Sequence, residues 1–251
     1  MSLNEKIVIW EKMRTILVNK MKEALVKLFS LFGVGIYRLN SVPNAQSFAV
    51  RSAINHNMKE RINEFYADFD TVKAYISPER LKFYERIVRL LPERGIDYKN
   101  KRVADVGCGT GHLLRCIYDN FNPLSLTGLE YSEAALVIAR TVLPSATFHY
   151  FDVYEGVTLK FDIVFCVEVL EHLLFPAAAL KNLLDLVDEG GVAVATVPNG
   201  RIDTYEGHIN FWSPESWQVF VRGICGTFDV ETGGGLYGDT NFAVIKHNVS
   251  V

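Results

Sequence analysis

The segment Val103-Ala-Asp-Val-Gly-Cys-Gly-Thr-Gly111 constrains this chain more than any other. Its apolar start reads as a buried strand ending in Asp105, and three glycines then lead into a helix over Thr110 to Phe121. Gly107, Gly109 and Gly111 can take positive φ, and without Cβ atoms they let a bound molecule approach the main chain closely. The helix start adds unpaired N–H groups and a positive dipole end, which favour an anionic group such as a carboxylate. Together these features build a cradle for a small molecule.

A dinucleotide-binding unit would place G-x-G-x-x-G after its first strand and an acid about 20 residues on for the ribose. Here Glu130 ends the apparent second strand 19 residues past Gly111, which suits any ribose-bearing cofactor. The glycines do not fit: they stand at 107, 109 and 111, and His112 occupies the place of the third dinucleotide glycine. Two further elements follow in order. Ala146 to Phe151 alternates into a third strand ending at Asp152, and Phe161-Asp-Ile-Val-Phe-Cys-Val-Glu-Val-Leu-Glu-His-Leu173 is a fourth buried strand running into E-V-L-E-H. The ordered set D-x-G-x-G-x-G, strand-end Glu, strand-end Asp and E-V-L-E-H resembles the class I S-adenosylmethionine-dependent methyltransferases.

The resemblance implies an α/β fold with a doubly wound, mostly parallel seven-stranded sheet, S-adenosylmethionine as cofactor and S-adenosylhomocysteine as product. Carried onto this sequence, Asp105 orients the methionine end, and the backbone of Gly107, Cys108, Gly109 and Gly111 admits it. Glu130 holds the ribose hydroxyls, with Tyr131 beside it. Asp152 binds the adenine amino group, Val153 N–H is a second adenine contact, and Glu168 borders the cofactor at the end of strand four.

At 251 residues and 49% hydrophobic, the chain has material for one substantial core. The expected division is an amphipathic helix within 1–40, a helical lead-in over 41–95 and the methyltransferase domain over 96–251. A net charge of −3 and a pI near 6.1 give no electrostatic reason to expect a nucleic-acid partner. The four cysteines, 108, 116, 166 and 225, have no metal-binding spacing, and no signal peptide or spanning segment is read, so a cytoplasmic location is expected. Residues 4–32 place Trp10, Met13, Leu17, Met21, Ala24, Leu28 and Leu31 at helical spacing, and residues 1–40 carry +4 against −7 for the remainder. Such a basic amphipathic helix suits peripheral membrane contact, packing on its own core, or self-association.

Met58 to Phe69 reads as a short helix, and Ser77-Pro78-Glu79 starts another that runs to about Leu91. Helices here cover the cofactor in proteins of this kind, which makes Tyr66 and Tyr75 candidates for the acceptor pocket. A helix from Phe175 to Val187 and a fifth strand from Val192 to Val197 come next. Pro198 to Trp212 then forms a loop too long for a simple connector. It resembles the acceptor-lining loop of bacterial small-molecule and glycan-pathway methyltransferases, which nominates Tyr205, Asn210 and Trp212 for substrate binding. Thr227 to Glu231 and Asn241 to His247 are expected as antiparallel sixth and seventh strands, with Tyr237 in a Gly-rich connection over 232–240.

An acceptor hydroxyl must lose a proton, and an imidazole can take it. His208 on the long loop and His172 after strand four are the candidates for catalysis. E-x-x-E-H-x-x-x-H is the metal-binding pattern of the small-RNA 2′-O-methyltransferases. This chain has Glu168, Glu171 and His172, but Pro176 stands where the last histidine belongs, so no metal is expected. The reading favoured is methyl transfer to an oxygen of a small metabolite, lipid intermediate or glycan precursor. Metal-assisted RNA 2′-O-methylation and a non-catalytic cofactor-binding or assembly role stay open.

Overall fold

The computed structural model describes residues 56–248 apart from 157. The amphipathic helix expected within 1–40 and the start of the lead-in lie outside the described residues. Seven strands form one sheet in the order β3-β2-β1-β4-β5-β7-β6. They are β1 (Arg102–Val106), β2 (Ser125–Glu130), β3 (Thr147–Tyr150), β4 (Phe161–Val167), β5 (Val187–Pro198), β6 (Asp229–Leu236) and β7 (Thr240–Lys246).

β1 to β5 pair in parallel, and β7 pairs antiparallel with both β5 and β6. This is the doubly wound sheet expected, with one correction: β7 alone is reversed. The hairpin from β6 turns the chain once and inserts β7 between β5 and β6, so β6 keeps the direction of the parallel strands. The hairpin is also tighter than its glycines suggested. β6 pairs through Gly233 with Phe242 and through Leu236 with Thr240, which leaves Tyr237 to Asp239 as the connection.

The helices start where the capping chemistry places them. Ser77 Oγ accepts from Arg80 N–H at 3.2 Å ahead of α3 (Pro78–Arg89), with Pro78 in its first turn. α4 (His112–Asn120) begins at Gly111, whose φ of 79° is available to glycine at little cost. Ser132 and Ser213 cap α5 (Glu133–Val142) and α7 (Pro214–Cys225), each accepting an N–H at 3.2 Å, and α6 (Pro176–Asp185) opens on proline. The helix expected from Met58 to Phe69 is α1 (Lys59–Ala67), which stops where Asp68 is extended, with φ −81° and ψ 121°, and a further short helix, α2 (Phe69–Ala74), follows it.

Alternate residues of each central strand feed two cores. Val103, Ile163, Phe165, Val194 and Val244 meet Ile87, Leu114, Ile117 and Leu136 of α3, α4 and α5 on one face. Ala104, Cys166, Ala193, Ala195 and Ala243 line the other. Those small residues let α6 and α7 approach closely, and Leu180, Leu183 and Trp217 fill the space. Because β1 to β5 all point one way, their carboxyl ends and following loops share one edge. The strand order reverses between β1 and β4, which opens a crevice there. Among the described residues no helix is long and apolar enough to cross a membrane.

Candidate active site

The crevice is a cavity of about 1060 Å³, at the upper end of the roughly 300–1,000 Å³ typical of small-molecule sites. Gly107, Glu130, Tyr131, Asp152 and Val153 line one half, from β1, β2 and the chain after β3. Glu168, Glu171, His172, Tyr205 and His208 line the other, from the chain after β4 and β5. Tyr66, Tyr75 and Arg80, from α1 and the chain into α3, form the roof.

The first half is set by the glycine loop. Gly107 has φ 72°, and a Cβ there would lie 2.4 Å from Val169 Cγ2, so only glycine leaves the wall in place. The Tyr66 hydroxyl approaches Gly109 so closely that a Cβ would stand 2.9 Å from it. Glu130 accepts from Gly109 N–H and Ser132 N–H, both at 2.8 Å, which fixes its carboxylate at the cavity wall. Burial pushes its pKa up, against the pull of the Ser132, Gly109 and Tyr131 N–H groups. Asp152 Oδ1 accepts from Tyr154 N–H at 2.9 Å, a turn that presents Asp152 at the rim. Asp105, Cys108, Gly109 and Gly111 support this half without lining it. Asp105 is 2% exposed, and its carboxyl is pushed well up by burial and then by Glu130.

The second half gathers four titratable groups. Glu168 follows β4 with φ 55°, a strained angle for a residue with a side chain. Its Oε1 accepts from Thr196 Oγ1 at 3.0 Å, and burial raises its pKa to about 7 against the attraction of Arg80. The next turn carries Glu171, fully buried, and His172, whose pKa is lowered to about 4 by burial and by His208 beside it. His208 reaches in from the loop after β5, with Nδ1 2.6 Å from Asp203 Oδ2. The loop is stitched to the Glu171 turn, since Ile209 N–H and Asn210 N–H donate to Glu171 O at 2.8 and 3.0 Å. Asn210 Nδ2 donates to Leu170 O and Leu173 O at 3.2 and 2.7 Å.

Asn210 therefore holds the turn and does not line the cavity. Trp212 also lies outside it, packed on Trp217 and Phe220 at ring separations of 5.6 and 4.8 Å. Tyr237 sits in the β6–β7 turn against Phe83 at 6.2 Å, away from the cavity. Two groups at the site, Arg80 and Asp203, were not nominated from sequence, and a third, Glu171, entered only through the incomplete metal pattern. Arg80 brings a partly buried guanidinium to the roof, 3.2 Å from Tyr84 Oη and 4.5 Å from the Phe83 ring centroid. Asp203 orients His208, and Glu171 places a carboxylate between the two histidines. An arginine three residues past a cap and an aspartate in a loop have no local signature.

A family model described as a methyltransferase domain matches residues 75–247. The chain belongs to this family of class I S-adenosylmethionine-dependent methyltransferases. The ubiquinone biosynthesis O-methyltransferase of Coxiella burnetii (strain RSA 493 / Nine Mile phase I) is 28% identical over 136 residues, covering 52% of this chain and 54% of that one. The protein of the same name from Nitrosomonas europaea is 32% identical over 139 residues, with the same coverage. The chain thus spans about half the length of the curated relatives it matches.

Among solved structures, the N-methyltransferase NodS from Bradyrhizobium japonicum WM9, in complex with S-adenosylhomocysteine, superposes with a TM-score of 0.61 at 16% identity. That match covers 76% of this chain and 98% of NodS. The magnesium protoporphyrin IX methyltransferase ChlM from Synechocystis PCC 6803 gives 0.54 at 17% identity, covering 72% and 88%. At these identities the two structures establish the fold of this methyltransferase.

Proposed function

We propose that this methyltransferase methylates a hydroxyl oxygen of a small molecule with an apolar body, with the cofactor in the glycine-loop half of the cavity and the acceptor in the histidine half. The cluster of Glu171, His172 and His208 carries the reading, because it puts groups able to receive a proton beside the place an acceptor must occupy. Half-exposed Met58, Phe65 and Leu174 line the same cavity, which suits an apolar acceptor such as a lipid intermediate. The names of the relatives from Coxiella and Nitrosomonas point to the same chemistry.

The residues present fit the cofactor. Gly107 leaves the wall clear where a Cβ would collide, Glu130 offers a fixed carboxylate to vicinal hydroxyls, and Arg80 is a partly buried cation for a carboxylate. Asp152 and Val153, at the far rim, are assigned to the adenine end. When bound, the cofactor supplies an activated methyl group on a sulfonium. The protein then has to align an oxygen with it, exclude water and remove the oxygen's proton. Alignment in a dry cavity can contribute roughly 7–11 kcal/mol at best. With that group in place, the acceptor oxygen would take the methyl as the C–S electron pair stays on sulfur, and the Glu171–His208 cluster would receive the acceptor proton.

Titration calorimetry with S-adenosylhomocysteine tests the cofactor half. Removing the Glu130 carboxylate strips hydrogen bonds to a charged group, so Glu130→Ala is expected to weaken binding by about 10- to 100-fold, or 1.5–3 kcal/mol. Unchanged affinity in that variant would remove Glu130 from the ribose role. For the acceptor half, radiolabelled methyl transfer should be offered to matched phenols and anilines with and without an alkyl chain. The alkylated phenol is expected to be methylated fastest, and a preference for the aniline would overturn the oxygen reading.

A further inference from the structure

We propose that Glu171, His172 and His208 form a divalent transition-metal site in the acceptor half of the cavity. Both carboxylate oxygens of Glu171 are buried without a hydrogen-bond partner among the described residues, and its side chain is 1% exposed. Such a group is costly unless it is neutralised or coordinates a cation. Its neighbours are His172 Nε2 at 4.0 Å and His208 Nε2 at 3.9 Å. Those gaps are too long for hydrogen bonds. Ligand atoms about 2.0–2.2 Å from an ion stand roughly 3–3.5 Å apart, so an ion between the three fits with shifts of an ångström or so. All three ligand atoms lie within 4.8 Å of one another.

The outer contacts of the imidazoles are those of metal ligands. His172 Nδ1 is 3.3 Å from Gly207 O, and His208 Nδ1 is 2.6 Å from Asp203 Oδ2. A ring nitrogen facing a carbonyl or carboxylate carries the proton, which leaves each Nε2 lone pair directed at Glu171. A carbonyl or carboxylate behind each imidazole fixes tautomer and orientation in metal sites. Two imidazoles and one carboxylate with the remaining positions open to a cavity suit Zn²⁺, Mn²⁺, Fe²⁺ or Co²⁺.

The E-x-x-E-H segment loses a ligand at Pro176, and the fold restores one from a different loop. His208 is held by the Ile209 and Asn210 bonds to the Glu171 turn, so the three ligands are preassembled. The ligand set rests on this geometry alone. The role of the ion rests on the oxygen-methylation reading: with the ion bound, the Glu171 and His208 lone pairs are occupied, so an acceptor hydroxyl at the open position would have its pKa lowered and release its proton to water instead of to the cluster.

The test is titration of the metal-stripped full chain with Co²⁺ alone, followed by calorimetry and by visible ligand-field absorption. One Co²⁺ per chain is expected. Glu171→Gln and His208→Gln are each expected to weaken it by at least ~10-fold while S-adenosylhomocysteine binding is kept. If Glu171→Gln also loses S-adenosylhomocysteine, His208→Gln and His172→Gln carry the comparison. No Co²⁺ binding at micromolar concentration, or equal binding by the wild type and the variants, overturns the site. Co²⁺ bound by these ligands in a protein that methylates only amines upholds the site and sinks the oxygen reading. Full hydroxyl methylation by the metal-stripped chain removes the ion from the reaction.

Discussion

Replacing His208 with alanine is expected to lower turnover by ~10²- to 10⁴-fold and to leave S-adenosylhomocysteine affinity nearly unchanged. The variant removes the Nε2 lone pair facing Glu171, whether that lone pair receives the acceptor's proton directly or binds an ion that acidifies the hydroxyl. The cofactor half loses nothing, since Gly107, Glu130 and Asp152 take no support from His208. Asp203→Asn should fall between wild type and His208→Ala, because the amide can still meet the ring but no longer holds its charge and tautomer. Single-turnover rates and calorimetry on the same preparations check this. A His208→Ala enzyme within about threefold of wild-type turnover would sink the role, since a general base contributes ~10² or more. His172→Ala would then be next, and if neither histidine matters the acceptor is an amine or an already ionised oxygen.

Trp217→Ala is expected to cost about 3–5 kcal/mol of stability, a fifth or more of what a domain with a net 5–15 kcal/mol possesses. Trp217 is fully buried between α7 and the small-residue face of the sheet, beside Trp212 and Phe220. No neighbour can fill the space it leaves. Its Nε1 has no hydrogen-bond partner among the described residues, so Trp217→Phe gives up volume but no hydrogen bond and should cost under about 1.5 kcal/mol. Urea unfolding should show the midpoint falling in proportion, with the slope unchanged. An alanine variant within 1 kcal/mol of wild type, on the scale of ordinary substitutions, would mean that α7 is not packed on the sheet as described.

The glycine-loop half of the cavity was legible because its signals are local. A strand, its terminal acid and the glycines that follow occupy consecutive positions, and the distance from Gly111 to Glu130 is one helix and one strand. The histidine half is assembled from segments far apart in sequence, and only part of it was read. His172 and His208 were nominated separately, yet what makes them a unit is Glu171 between them and Asp203 behind one of them. No spacing encodes that convergence. Trp212 drew attention as an aromatic in a polar loop, but the loop ends in the cap of α7, and its last aromatic packs down with that helix. The glycines of 233–235 suggested a connection, whereas all three lie in β6.

The roof is joined to the rest by polar contacts. α1 has no buried residue, and Asn63 Oδ1 accepts from Ser132 Oγ at 2.8 Å and from Ala134 N–H at 3.2 Å. Lys59 meets Glu133 at 3.6 Å, and Asn57 Nδ2 donates to Gly207 O at 2.8 Å. Water can replace contacts of this kind nearly one for one, so this segment can swing away at a small fraction of the cost of unfolding the sheet. If the cofactor lies in the glycine-loop half as proposed, with the Tyr66 hydroxyl close against Gly109, its release would be coupled to that opening. Turnover would then be capped by the opening frequency of a helix without a core, and tightening α1 would slow the cycle even while it improved the fit.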